Sequence, residues 1–236
     1  MTPGNGPAVT SHRWDDAVFL SWRVDPLRAE RLLPRGLAPA VRPDVVDGSA
    51  WVVLSAYVFR ATRVPPLPPV PGRLGTLTEV TVEVLTADRT GNHGTAYRTI
   101  ETPHLPAVLA ARIGLGIPYR AARVGFRRRG DVLAYRVARP REDTLTLALR
   151  VHASDGAVTS TDRTIANRAG IHAPRYGRSW WIRTHDPLTL RPAVIEELRG
   201  DLPDRVGVPG LLDTPPDSAL VADPVDVTYS WGGRIR

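Results

Sequence analysis

The segment LTEVTVEV (77–84) constrains the fold more than any other part of the chain. Val80, Val82 and Val84 alternate with Glu79, Thr81 and Glu83, and only an extended strand sorts that period of two into an apolar and a polar face. DRTGNH (88–93) then carries turn chemistry, and Thr95–Glu101 reads as the return strand of a hairpin. AWVVLSAYVF (50–59), rich in β-branched and aromatic residues, predicts a largely buried strand. Further strands are predicted at FLSWRV (19–24), Ala122–Arg128, Val132–Val137, Thr144–Val151, Ser179–Arg183 and VDVTYSW (225–231).

Three helices interrupt them. Asp25 and Pro26 supply an N-cap and a first-turn proline for Leu27–Leu33. Pro106–Ile113 places Leu105, Val108, Leu109 and Ile113 on one face and ends at Gly114 and Gly116. Pro192–Arg199 has proline in its first turn and Gly200 behind it. VPPLPPVP (64–71) breaks regular structure and reads as a surface loop. Residues 1–12 are expected to form a loose Pro/Gly-rich arm, and 13–236 a single domain without internal repeats. Many hairpin-joined strands with a few short helices predict an α+β fold, mainly antiparallel β, with the sheet curled into a barrel-like shell.

Composition removes several classes of function. The chain has 236 residues and no cysteine, which excludes disulfides, thiolate nucleophiles and zinc–thiolate sites. It contains no lysine, so no lysine ε-amine is present to form a Schiff base. The longest apolar stretch, around Ala50–Phe59, is too short for a membrane helix, and the first residues lack the pattern of a signal peptide. A soluble, cytoplasmic protein with no membrane partner is expected. The net charge of +7 is carried entirely by arginine. Its densest cluster is Arg123, Arg127, Arg128, Arg129, Arg136, Arg139 and Arg141, and the central run flanks a hairpin turn at Gly130-Asp131. No aromatic residue interrupts the run Arg127–Arg129 as a stacking platform requires, so no nucleic-acid partner is expected.

Familiar catalytic motifs are missing. There is no phosphate-binding P-loop, no G-x-S-x-G elbow and no complete dinucleotide fingerprint around Gly114 and Gly116. The six histidines are scattered, and the adjacent His185 and Asp186 face opposite ways on an extended chain. Neither a metal nor a cofactor is expected.

Two constellations can carry chemistry. The acidic face of 77–84 is either solvated or lines an enclosed cavity, where desolvation and mutual repulsion raise the pKa of one carboxyl group. Arg98, on the neighbouring strand, is positioned to pair with Glu83 or Glu79 if the register allows. In GLGIPYRAA (114–122), two glycines and Pro118 deliver Tyr119 and Arg120 into a strand. A phenol there can donate to a carbonyl or enolate oxygen, and a guanidinium can hold a carboxylate. A packed tyrosine and a surface arginine is the alternative.

FLSWRVDPLRAERLLPRGL (19–37), DGSAWVVLSAYVFRATRVPPLPPVP (47–71), LTEVTVEV (77–84), IPYRAA (117–122) and THDPLTLRPA (184–193) together resemble the YqjF-like conserved bacterial proteins. These are a branch of the acetoacetate decarboxylase-like superfamily. The resemblance implies a cone-shaped antiparallel β-barrel with peripheral helices, an internal pocket, and homo-oligomers in at least some relatives. In the decarboxylases a glycine-x-proline-lysine-lysine segment supplies the Schiff-base lysine; here Gly116-Ile117-Pro118 is followed by Tyr119 and Arg120. Glu79 matches a glutamate on the strand before. Ser21 stands where relatives often have histidine, Glu83 where an arginine is usual, and Arg98 where an aromatic residue is common. That exchange of charge suggests a pocket rebuilt for another ligand.

The function expected is cofactor-independent chemistry on a carbonyl or enolisable small molecule: a lyase, dehydratase, isomerase or cyclase, in the setting of natural-product biosynthesis. Glu79, Glu83 and Tyr119 are the catalytic candidates, and Arg120, Arg98, Trp22, Tyr97 and Tyr57 the substrate-binding candidates. The alternative is a non-catalytic protein that binds a hydrophobic metabolite.

Overall fold

A computed structural model describes residues 6–68, 70–139, 145–175 and 178–235. The chain opens with β1 (Ala8–Val24), α1 (Pro26–Leu32), β2 (Val41–Pro43) and β3 (Ala50–Arg63). A hairpin of β4 (Leu77–Asp88) and β5 (His93–Thr102) leads through α2 (Leu105–Gly114) to β6 (Tyr119–Ala121). A meander of β7 (Arg123–Arg129), β8 (Val132–Arg139) and β9 (Leu145–Ala153) follows, then α3 (Ser160–Ala166), β10 (Gly170–Ala173) and β11 (Ser179–Thr184). The chain ends with β12 (Leu190–Gly200), α4 (Leu202–Arg205), β13 (Ser218–Ala222) and β14 (Val225–Arg234).

Seven strands close a barrel in the order β14-β11-β10-β5-β4-β3-β1, with β1 returning to β14. The long first strand makes both closure and extension possible. Its first half pairs with β14 and its second half with β13, while β3 runs along its other side from Ser11 to Val24. The change of partner falls at Asp15-Asp16, where the β1–β3 register shifts and Asp16 takes a φ of +52°, a conformation aspartate tolerates better than most residues. From β13 the sheet continues through β12, β9 and β8 to β7 and folds over the outer wall of the barrel.

The alternation in β4 decides what each layer contains. Val80, Val82 and Val84 lie opposite Ala56, Leu54 and Val52 of β3, and this outer face packs beneath Tyr135, Leu147, Leu149 and Val151. Glu79, Thr81 and Glu83 lie opposite Tyr57, Ser55 and Val53 and face the barrel interior with Trp14, Phe19 and Phe59. Leu20, Leu54, Val80, Val82 and Leu149 are 0% exposed, so the valine face is a sealed interlayer core. Burial of each large side chain there contributes about 1.5–3 kcal/mol.

The architecture is the mainly antiparallel barrel expected, with two parallel contacts, β5–β10 and β5–β6. Several local expectations need correction. Leu190–Gly200 is a strand, not a helix over Pro192–Arg199. Its register shifts between Ile195 and Glu197, so Ala193, Ile195 and Leu198 reach the core at spacings of two and three. A bulge in a strand thus imitates helical spacing. Pairing begins at Ala8, inside the stretch expected to be a loose arm, because β14 supplies a partner from Ala8 and β3 a second one from Ser11. Leu105, Leu109 and Ile113 of α2 are 56, 53 and 64% exposed; the helix seats instead on Val108 and Ala111. The helix α3 and the strand β10 were not anticipated, although Thr159 and Asp162 form a capping box at the start of α3. Residues 1–5 of the expected arm, Arg141 of the basic cluster and Thr144 of an expected strand lie outside the described residues. Among the described residues, no helix is long and apolar enough to cross a membrane.

Candidate active site

The polar face of β4 points into the barrel. Glu79 is 2% exposed, Thr81 1% and Glu83 5%. Tyr57 stands directly opposite Glu79 on β3, and Tyr97 opposite Glu83 on β5. A third tyrosine arrives from β6. Gly116 has a φ of +69°, and a Cβ there would stand 2.1 Å from Cβ of Arg175, so the turn before Ile117-Pro118 needs glycine. The strand that follows alternates and turns Tyr119 inward and Arg120 outward.

Tyr119 Oη donates to Glu79 Oε2 at 3.2 Å. The other oxygen, Oε1, has no hydrogen-bond partner among the described residues. Burial pushes the Glu79 carboxyl up from 4.5 to about 8, and the hydrogen bond from Tyr119 only partly opposes it. Burial likewise raises the phenols of Tyr57, Tyr97 and Tyr119 well above their ordinary range and that of Tyr229 to about 12. At neutral pH these hydroxyls are therefore protonated donors.

Glu83 sits deeper. It accepts from Ser55 Oγ at 2.9 Å and Thr95 Oγ1 at 2.7 Å, so each oxygen already has a donor. Arg183 of β11 is 6% exposed, donates to Tyr97 Oη at 3.1 Å, and lies 5.1 Å over the Trp14 ring. Burial works against its charge, and nearby groups including Tyr229 and Glu83 offset that. Beside Glu79, His12, Trp14, Tyr57, Phe59, Tyr119 and Tyr229 line a cavity of about 40 Å³. His12 is bonded to Thr62 Oγ1 and Thr10 Oγ1 and stacks on Phe59, and burial lowers its pKa to about 4, so it is neutral.

Of the residues singled out from sequence, Glu79, Tyr119, Tyr57 and Tyr97 come together. Glu83 is buried in the same barrel but does not line the cavity. Trp22 lies on the opposite face of β1, in the interlayer core, with Nε1 donating to Thr214 O at 3.0 Å. Arg98 pairs with neither glutamate: the β4–β5 register shifts at this point, and its guanidinium reaches the carbonyls of Val206 and Leu32 outside the barrel. Arg120 is exposed on the outer wall. His185 meets its neighbour through the Asp186 carbonyl at 2.6 Å. His12, Trp14, Arg183 and Tyr229 were missed. The i, i+2 pairs His12/Trp14 and Trp181/Arg183 carried a signal, but without the barrel nothing said which face was inward.

A buried carboxyl with one unengaged oxygen, ringed by phenol donors in an aromatic cavity, can pass a proton to or from a small polar molecule. Comparisons place the fold among known ones. The model of a family called DUF2071, described as an uncharacterized conserved protein, matches residues 11–226. The uncharacterized protein YqjF of Bacillus subtilis is 28% identical over 137 residues, which is 56% of this chain and 52% of YqjF, so the match spans about half the length of that relative. Acetoacetate decarboxylase from Legionella pneumophila superposes with a TM-score of 0.62 at 12% identity, covering 99% of this chain and 89% of the decarboxylase. The enduracididine biosynthesis enzyme MppR complexed with pyruvate superposes with a TM-score of 0.57 at 12% identity, covering 97% and 89%. MppR has also been solved with the condensation product of pyruvate and imidazole 4-carboxaldehyde.

Proposed function

Because the chain belongs to the DUF2071 family and shares the acetoacetate decarboxylase-like fold, we propose that it is a cofactor-independent enzyme moving protons on a small carbonyl or enolisable substrate. The observation that carries this reading is Glu79: buried, with one oxygen engaged by Tyr119 and the other free. A lyase, dehydratase, isomerase or cyclase step all begin from such proton transfer. No lysine exists in this chain to form an imine, and in this reading hydrogen bonds activate the carbonyl instead.

The elementary step is enolisation. The Glu79 carboxylate takes a proton from the carbon beside the carbonyl, and the C–H electron pair moves into the new C=C bond. The carbonyl π pair moves onto oxygen, where Tyr57, whose hydroxyl has no partner among the described residues, or Tyr119, once its hydrogen bond to Glu79 is released, donates to the developing enolate. Returning the proton to another position, or expelling a leaving group from the enolate, completes an isomerisation or an elimination. General acid–base help of this kind contributes about two to four orders of magnitude in rate. Glu83, with both oxygens engaged, acts as a positioning residue through Ser55 and Thr95.

MppR's pyruvate motivates a 2-oxo acid as the first probe. Exchange of the C3 protons of 2-oxobutyrate with D₂O, followed by NMR, reads the step directly. Catalysed exchange is expected, rising with pH through about 8 as Glu79 ionises, and falling at least about 100-fold in Glu79→Gln. Unchanged exchange in that variant defeats the mechanism. Saturable binding of 2-oxobutyrate without exchange in the wild type would instead make the barrel a carrier of small metabolites.

A further inference from the structure

On the far side of the Tyr97 wall lies a second, larger space. This surface groove of about 230 Å³ is lined by Pro34, Arg98, Gly116, Pro118, Arg120 and Pro174 among others. Tyr97, Ile117 and Ile171 border both this groove and the inner cavity, so a wall one residue thick separates them.

Two arginines line the groove. The guanidinium of Arg98 is fixed: Nε and Nη2 donate to Val206 O at 3.0 and 2.7 Å, and Nη1 to Leu32 O at 2.8 Å. An arginine has five N–H donors, so two of them are left over. Arg120 is exposed, and its guanidinium makes no hydrogen bond or ion pair among the described residues. The two are close enough that burial first, and the charge of Arg120 second, depress the Arg98 pKa. No described Asp or Glu lines the groove to balance them. Glu101, opposite Arg120 in the β5–β6 register, is fully buried, does not line the groove, and accepts from Thr99 and Arg139 on Oε1. His172, also on the lining, is held neutral near pH 7, since burial lowers its pKa to about 4 despite Asp88 nearby. Like charges held together beside a cavity, without a counter-charge, are arranged to receive an anion.

We propose that this groove is a docking vestibule for the carboxylate of the substrate, which enters the barrel past Tyr97, Ile117 and Ile171. The assignment rests on the inner cavity being the reaction site and adds that the substrate is an anion. Arg98 provides a pre-set donor edge and Arg120 an exposed second charge for the carboxylate.

The test is a titration of isotope-labelled protein with sodium 2-oxobutyrate at pH 7, with sodium chloride holding the ionic strength constant. Saturable shifts are expected at the Arg98 and Arg120 side-chain resonances and at the Gly116 amide. Arg120→Glu should weaken that response at least tenfold and raise KM for C3 exchange by a similar factor. Arg127→Glu, the same charge change on the exposed β7 strand, should leave the affinity within twofold. No groove response in the wild type, or equal weakening by Arg127→Glu, overturns the vestibule whatever the exchange assay shows. A groove response without catalysed exchange counts against the acid–base mechanism alone and keeps the anion site.

Discussion

Glu79 couples the candidate chemistry to stability. Its carboxyl is raised from 4.5 to about 8 because ionisation inside the barrel forfeits hydration. A raised pKa stabilises the fold fully below the unfolded value and loses that contribution as pH climbs through the folded one. The protein should therefore become less stable between about pH 4.5 and 8 through this residue, by on the order of a few kcal/mol. Glu79→Gln, which cannot ionise, should melt above the wild type at pH 9 and lose that advantage near pH 5; thermal melts at the two pH values decide it. Tyr119→Phe removes the one hydrogen bond that favours the carboxylate, so the Glu79 carboxyl band in infrared titrations should move to higher pH. A midpoint that stays put would mean Tyr119 does not sense the carboxylate. Glu79 and Tyr119 were both legible in the sequence, since alternation marked one and the turn before Pro118 delivered the other. Arg98 and Arg120 were legible as charges but not as neighbours of one another, because a one-residue register shift turned Arg98 outward.

At the scale of elements, short signals near the residues themselves were the dependable ones. Asp25 caps α1 by accepting from the Leu27 and Arg28 amides at 2.9 and 3.1 Å. Asp88 organises the β4–β5 turn by accepting from Thr90 and Asn92. Asp25→Ala should cost about 1 kcal/mol in denaturant melts. Gly116 is more exacting, because its φ of +69° and the Arg175 contact leave no room for a side chain. Gly116→Ala should displace the segment that carries Tyr119 and reduce exchange activity more than stability; a variant with full activity would show that the turn is not what positions the phenol. The failure at 192–199 has the same physics in reverse. Ala, Val, Ile, Glu and Leu at mixed spacings satisfy a helix, and only the ladders from β9 and β13 fix the segment as a strand.

Over the whole molecule, β1 divides two environments. One of its faces closes the barrel, while the other roofs the interlayer core under β7, β8 and β9. Leu149→Ala, at a fully buried interlayer position, should destabilise by about 2–5 kcal/mol. Leu109→Ala on the solvent side of α2, where the side chain is 53% exposed, should stay within about 0.5 kcal/mol. Equal losses at the two sites in equilibrium unfolding would contradict the assignment of the core.

The amino-acid sequence alone settled where most strands run, which residues of 77–84 share a face, and that no lysine or cysteine chemistry is available. These properties are local: backbone period, cap geometry and residue type do not depend on distant parts of the chain. Tertiary structure alone decided that the acidic face looks inward, that His12, Trp14, Arg183 and Tyr229 join it, and that Trp22, Arg98 and Arg120 lie outside. Those outcomes depend on which strands close the ring and where register shifts fall, and such choices are made by contacts between segments up to some two hundred residues apart, as β1 with β14.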